Sequence, residues 1–172
     1  MNFSLNRKNE RFINNRFEEK DIYNMDKAQK VILTCMCQIS CDNKILVLNK
    51  ISKTYSGITF PGGHVEENEM ITDAIVREVH EETGLHIKNP IMCGIYDWIN
   101  SDGTRYFVFL YKADEFSGEL HSSEEGKVKW IRKDNFLDEK LAQGMETVFN
   151  IINSESISEC FYNKETQEEI IK

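Results

Sequence analysis

Apolar residues recur along this chain with two different periods, and the switches between them mark its elements. Val31 to Ile39 is apolar and rich in β-branched side chains, which predicts a strand. Cys41-Asp42-Asn43 reads as a turn, and Lys44 to Asn49 returns as the second arm of a hairpin. A further extended run leads from Tyr55 to Pro61, where Gly62-Gly63 permits backbone torsions that other residues resist. The period then lengthens. A helix is predicted over 70–83, with Ile71, Ala74 and Ile75 along one face and Gly84 placed to close it in a left-handed conformation. Strands follow at 85–88, 91–99 and 105–112, with Pro90 in the first connection and Ser101-Asp102-Gly103 as the second turn. Residues 106–111 are apolar at every position, the mark of a strand covered on both faces. Gly118 and residues 122–126 read as loops, 127–131 as a strand and 133–137 as a helical turn. Met145, Val148, Phe149 and Ile152, at i, i+3, i+4 and i+7, predict a helix over 144–153. A last strand is expected at 157–162, and the polar tail from Asn163 is expected to fray.

Strands before and after one central helix, with a second helix near the end, predict an α/β fold in which a mixed sheet lies between helices. A chain of 172 residues suits one domain with a full core. Residues 1–24 differ from the rest: Asn, Lys, Arg and Glu dominate, with isolated Phe3, Phe12, Ile13 and Phe17. The apolar spacing over 9–20 is poor for a helix. We read 1–24 as a mobile N-terminal extension, with a partner-docking helix as the alternative, and 25–172 as the domain. Met25 offers an alternative start.

Composition narrows the classes. Hydrophobic content of 40% with 29% charged residues is that of a soluble globular protein. No apolar run approaches the roughly 18 residues that would span a membrane, and the first residues lack the apolar core of a secretory signal. A cytoplasmic protein without a membrane partner is expected. The net charge of −8, with no basic stripe, argues against long nucleic acid held through its backbone. A small phosphate ester bound through a metal suits an acidic protein, because the cation supplies the positive charge. Five cysteines (35, 37, 41, 93 and 160) form no CxxC, and Cys35 and Cys37 share a strand face that suits small buried hydrophobes better than a zinc site. The histidines at 64, 80, 86 and 121 form no HExxH and read as surface or loop residues.

The predicted helix over 70–83 carries the candidate chemistry. Glu78, Glu81 and Glu82, at i, i+3 and i+4, share a face that continues the line of Ile71, Ala74 and Ile75. They are therefore expected to point toward the protein body, where three converging carboxylates repel one another unless a cation offsets them. A hard divalent ion such as Mg²⁺ is the natural partner. The competing reading is an ordinary Glu-rich helix with solvated charge.

The spacing shifts the balance between them. Gly63, five residues, Glu69, seven residues, then Arg77-Glu78-Val79-His80-Glu81-Glu82-Thr83-Gly84-Leu85 fixes nine positions over 23 residues. This resembles the Nudix box of the Nudix hydrolases at every defining position. The likeness runs over roughly residues 26–165 and implies a Nudix-type α/β/α sandwich. Gly57 to Glu66 and Gly126 to Trp130 look most like MutT-like members of Gram-positive bacteria, of the kind called 8-oxo-dGTP diphosphatases.

The resemblance implies Mg²⁺-dependent hydrolysis, with Mn²⁺ as the alternative ion. The substrate would be a purine nucleoside triphosphate such as 8-oxo-dGTP, cut to the monophosphate and pyrophosphate. Glu81 and Glu82 would be direct metal ligands, and Glu78 a ligand or the general base. Glu125, preferred over Glu124 in the loop before Trp130, would be a further ligand; a solvated loop residue is the alternative. Lys50 falls at the place of a phosphate-contacting cation, or is a plain surface lysine. Gly63 would approach the substrate, and Thr59 and Gln143 stand where relatives read the purine edge. Those relatives carry Asn or Asp near residue 143, so this chain departs from them there. Gly62, Glu69, Arg77 and Gly84 would be structural, with Arg77 tying the helix to Glu69 or the loop. Other substrates of the same chemistry are dinucleoside polyphosphates, nucleotide sugars and capped RNA. A nucleotide-sensing module without catalysis is disfavoured by the intact carboxylates. A monomer or homodimer is expected.

Overall fold

The computed structural model describes residues 28–172; the extension read from residues 1–24 lies outside them. The strands are β1 (Val31–Cys41), β2 (Lys44–Lys50), β3 (Gly57–Thr59), β4 (Leu85–Lys88), β5 (Ile91–Ile99), β6 (Arg105–Ala113), β7 (Glu115–Gly118), β8 (Gly126–Arg132), β9 (Glu159–Asn163) and β10 (Glu168–Ile171). The helices are α1 (Ile71–Thr83) and α2 (Met145–Asn153), with a 3₁₀ segment at Lys133–Asp138.

The mixed sheet runs in the order β10-β9-β5-β6-β1-β2-β3, with β8 paired to β2. Pairs β1–β6 and β5–β9 are parallel, and the other pairs are antiparallel. β4 and β7 form a separate two-stranded ribbon. The predicted hairpin exists, but β1 and β2 pair only next to their turn, at Ser40–Ile45 and Cys41–Lys44. Beyond that point they separate. β1 lies along β6 from Val31 to Ile39, whereas β2 is taken up between β3 and β8. The edge of β1 so released binds the loop ahead of α1. The N–H of Cys35 donates to the carbonyl of Gly63, that of Cys37 to Pro61, and that of Val65 to Leu33, each at 2.9 Å.

Two cores flank this arrangement. Alternate residues of β2 feed both, Ile45 and Val47 one and Leu46 the other, so four consecutive residues from Ile45 to Leu48 are buried. One core places Ile58, Phe60, Tyr96, Val108 and Leu110 under α2 and Phe136. The other places Cys35, Cys37, Ile39 and Tyr111 under Ala74, Ile75 and Val79 of α1.

Three expectations are corrected. The doubly covered strand is β2; in β6 Phe107 and Phe109 are only half-buried, although that strand was the one expected to be covered on both faces. Gly118, expected in a loop, instead ends the strand β7, because residues 115–118 have β4 to pair with. The tail from Asn163 does not fray. It turns back as β10 on β9, and Thr147 of α2 donates to the Glu169 carboxylate at 2.7–2.8 Å.

Candidate active site

Gly84 ends α1 at φ 75°, its N–H bonded to the carbonyl of His80. The other end of the helix is fixed by Arg77. Its guanidinium donates to both oxygens of Glu69 at 2.9 and 3.0 Å and to the carbonyl of His64 at 3.0 Å. Glu69 also accepts from the N–H of Glu66, and the Arg77 hydrogen bond first, with this N–H second, holds its carboxyl below the usual range. Arg77 thus ties α1 to the loop that β1 already grips. The same guanidinium reaches Glu78 at 2.9 Å and Glu81 at 3.2 Å.

The three helix carboxylates do not converge as the spacing suggested. Glu82 is 3% exposed, Glu78 has 13% of its side chain exposed and Glu81 has 57%. The stripe of Ile71 and Ile75 carries Glu78 and Glu82 inward, and it leaves Glu81 at the edge, paired with Arg77 one turn earlier. Glu82 turns toward the loop, where the N–H of Gly62 donates to Oε2 at 2.7 Å. Glu78 packs so closely on Gly63 that a β-carbon there would overlap its carboxylate and push it from its place beside Arg77. Gly62 lies with its α-carbon against the backbone of Cys35, where a side chain has no room.

An open cleft of about 300 Å³ borders these groups. Of the residues expected from the sequence, Lys50, Thr59, Gly62, Gly63, Glu78 and Glu125 line it. Lys50 and Glu125 meet because the end of β2 pairs with the start of β8, Lys50 opposite Gly126. The Lys50 ammonium is 2.6 Å from Glu125 Oε2 and 3.7 Å from Glu82 Oε1. Gln143 is exposed and outside the cleft lining, and Gly144 beside it packs against Tyr96.

Sequence reasoning missed the apolar part of the cleft. Met36, Tyr55, Phe60, Tyr106 and Val108 line it, and Tyr106 stacks on Trp98 with ring centroids 4.5 Å apart. His64, read as a surface or loop residue, is in the loop but also lines the cleft, its ring edge-on to Tyr106. The parallel β1–β6 pairing brings Met36 together with Tyr106 and Val108, and no local signal announces a pairing between strands more than 70 residues apart.

Burial pushes the Glu82 carboxyl well above the ordinary range, against the Gly62 N–H and the Lys50 charge, which pull it down. Burial also raises Glu78, against Arg77. Glu125 is lowered, chiefly by its hydrogen bond to Lys50. Glu82 Oε1 is buried without a hydrogen-bond partner. Such an oxygen is costly unless a cation meets it, and carboxylate oxygens are the donors that a hard divalent ion takes. The residues therefore fit such an ion. Among the described residues no three carboxylate, imidazole or thiol groups close on one point, because Arg77 holds Glu78 and Glu81 and Lys50 holds Glu125.

A mixed sheet with an acidic helix leaning on a glycine loop beside a cleft defines an α/β domain built around that helix–loop unit. The NUDIX domain family model matches residues 31–150, well over half of the chain, and the chain belongs to the Nudix family. It is 35% identical over 99 residues to the uncharacterized Nudix hydrolase YvcI of Bacillus subtilis, across 55% of this chain and 61% of that protein. Over 91 residues it is 34% identical to a Methanocaldococcus jannaschii protein named ADP-ribose pyrophosphatase, across 52% of this chain and 54% of that one. The chain thus spans between half and two thirds of the length of these two relatives. Among solved structures, the mutator MutT protein of Bacillus halodurans superposes with a TM-score of 0.67 at 29% identity, over 81% of this chain and 94% of that one. No described helix is long and apolar enough to cross a membrane.

Proposed function

We propose that this chain is a divalent-metal-dependent Nudix pyrophosphohydrolase that cleaves a purine nucleoside triphosphate, such as 8-oxo-dGTP, to the monophosphate and pyrophosphate. One observation carries the reading: a buried, unbonded carboxylate oxygen on Glu82 lies within 3.7 Å of the ammonium of Lys50, a residue of the cleft that Glu78 and Glu125 also line. Glu81, Glu82 and Glu125 would hold Mg²⁺ or Mn²⁺, and Glu78 would be either a ligand or the base that takes a proton from water. The ion would neutralise phosphate oxygens and acidify a water. Lys50 would face the phosphates, Gly63 would let them approach the loop, and Thr59 would face the base. Gln143 would meet the base edge from outside the present cleft lining. Net reaction adds water across one phosphoanhydride bond, so orientation of that water and charge neutralisation carry the rate.

A second reading has its own support. The M. jannaschii relative is named for ADP-ribose, which offers the same diphosphate to the same carboxylates. A panel of 8-oxo-dGTP, dGTP, ATP, ADP-ribose and a dinucleoside polyphosphate, each with Mg²⁺ and with products separated, tests both. Fastest turnover of a purine triphosphate, with pyrophosphate released, is expected. Turnover of ADP-ribose equal to or above that of every triphosphate would replace the first reading by the second.

A further inference from the structure

Lys50 has a role that its place in the cleft does not by itself require. It is the last residue of β2, and Glu125 immediately precedes β8 on the paired strand. The pairing is continued by the N–H of Ile51, which donates to the carbonyl of Glu125 at 3.3 Å. Both residues thereby sit side by side at one end of the β2–β8 pair. From it the ammonium reaches Glu125 Oε2 at 2.6 Å and Glu82 Oε1 at 3.7 Å. The second oxygen of Glu82 is already taken by the Gly62 N–H, so Oε1 has no hydrogen bond and Lys50 is the cation in ion-pair range of it among the described residues.

We infer that Lys50 is a positioning residue that stands in for the divalent ion in the metal-free protein. It holds Glu82 and Glu125 in place, and the arriving ion must displace it. The inference rests on the proposal that these carboxylates bind the ion. Two cations at the same two oxygens compete for them and repel each other. A metal binds carboxylate oxygen at about 2.1 Å, and an ammonium left beside the same oxygens would repel it. Displacement has somewhere to go, because Lys50 lines the cleft and its stem is long and unbranched. The exchange would set metal affinity below what the carboxylates alone could reach. It would also deliver the freed ammonium to the cleft in the same step that loads the ion.

Calorimetric titration of the free protein with Mn²⁺, without substrate, tests this. Lys50→Met should bind Mn²⁺ at least about fivefold tighter than the wild type, since one positive charge beside the ion is gone. Lys50→Arg, which keeps the charge, should remain near the wild-type affinity. Metal-free Lys50→Met should also melt lower than the wild type, and Mn²⁺ should raise its melting temperature by more. A measurement on the unaltered chain guards against a variant that fails to fold: acylation of the Lys50 amine, read by peptide mass spectrometry, should speed up several-fold when Mn²⁺ is added. Equal or weaker Mn²⁺ binding by Lys50→Met, or acylation that Mn²⁺ leaves unchanged or slows, would overturn the inference while leaving the metal site standing. No Mn²⁺ binding by the wild type would overturn both the inference and the metal-dependent function beneath it.

Discussion

Glu82 is where burial and charge conflict most sharply. A carboxylate that is 3% exposed, with one oxygen bonded to a backbone N–H and the other to nothing, is a poor way to stabilise a fold and a good way to keep a ligand oxygen ready. Glu82→Gln keeps the shape and an acceptor for the Gly62 N–H while removing the charge. Its metal-free stability should stay within about 1 kcal/mol of wild type by denaturant melts, while Mn²⁺ affinity falls by about tenfold or more. Glu67→Gln, an exposed change in the loop before α1, should move neither quantity. Glu78 needs its own test, since its carboxylate is pressed between Gly63 and Arg77 and could serve as ligand or base. Turnover by Glu78→Gln that drops about a hundredfold with Mn²⁺ affinity intact would identify the base; loss of both would identify a ligand.

At the scale of elements, the helix–loop unit is a clamp. β1 grips the loop 61–65 by backbone bonds, and Arg77 ties the same loop to α1 through Glu69 and the carbonyl of His64. Arg77→Ala should therefore act by loosening geometry: turnover should fall by about ten- to a hundredfold, with α1 still helical by circular dichroism. A helix melted by this change would mean that Arg77 is needed for folding instead. This clamp was largely legible in the sequence, because box spacing, helix period and Gly84 are local signals. What was not legible came from long-range pairing. β7 exists because β4 offers it an edge, and β10 because β9 and Glu169–Thr147 hold it, neither of which a polar stretch reveals. The backbone of Lys172 also bonds Glu159, so deleting 164–172 should cost at least about 1 kcal/mol by urea denaturation. An unchanged midpoint would return that tail to the status of a loose end.

At the scale of the molecule, the described residues hold two cores on opposite faces of one sheet, with buried side chains from residue 35 onward. Residues 1–24 lack a core-forming apolar pattern, so a chain beginning at Met25 should fold with its stability within about 1 kcal/mol of the full chain and keep its activity; a larger loss would show that residues 1–24 contribute to the core. The apolar half of the cleft again escaped the sequence reading, since Met36 comes from β1, Tyr106 from β6 and Tyr55 from the connection between β2 and β3. Only their residue types were visible, not their meeting. The central claim joins the two halves: the box carboxylates hold a divalent ion against the phosphates of a nucleotide seated in that cleft. Pyrophosphate release from 8-oxo-dGTP, followed while Mg²⁺ is stripped with a chelator and then restored, tests it most directly. Release should stop without the ion and return with it in the wild type, and Glu82→Gln should restore at most about a hundredth of that rate. Release that persists without any divalent ion, or that Glu82→Gln supports at the wild-type rate, would contradict it.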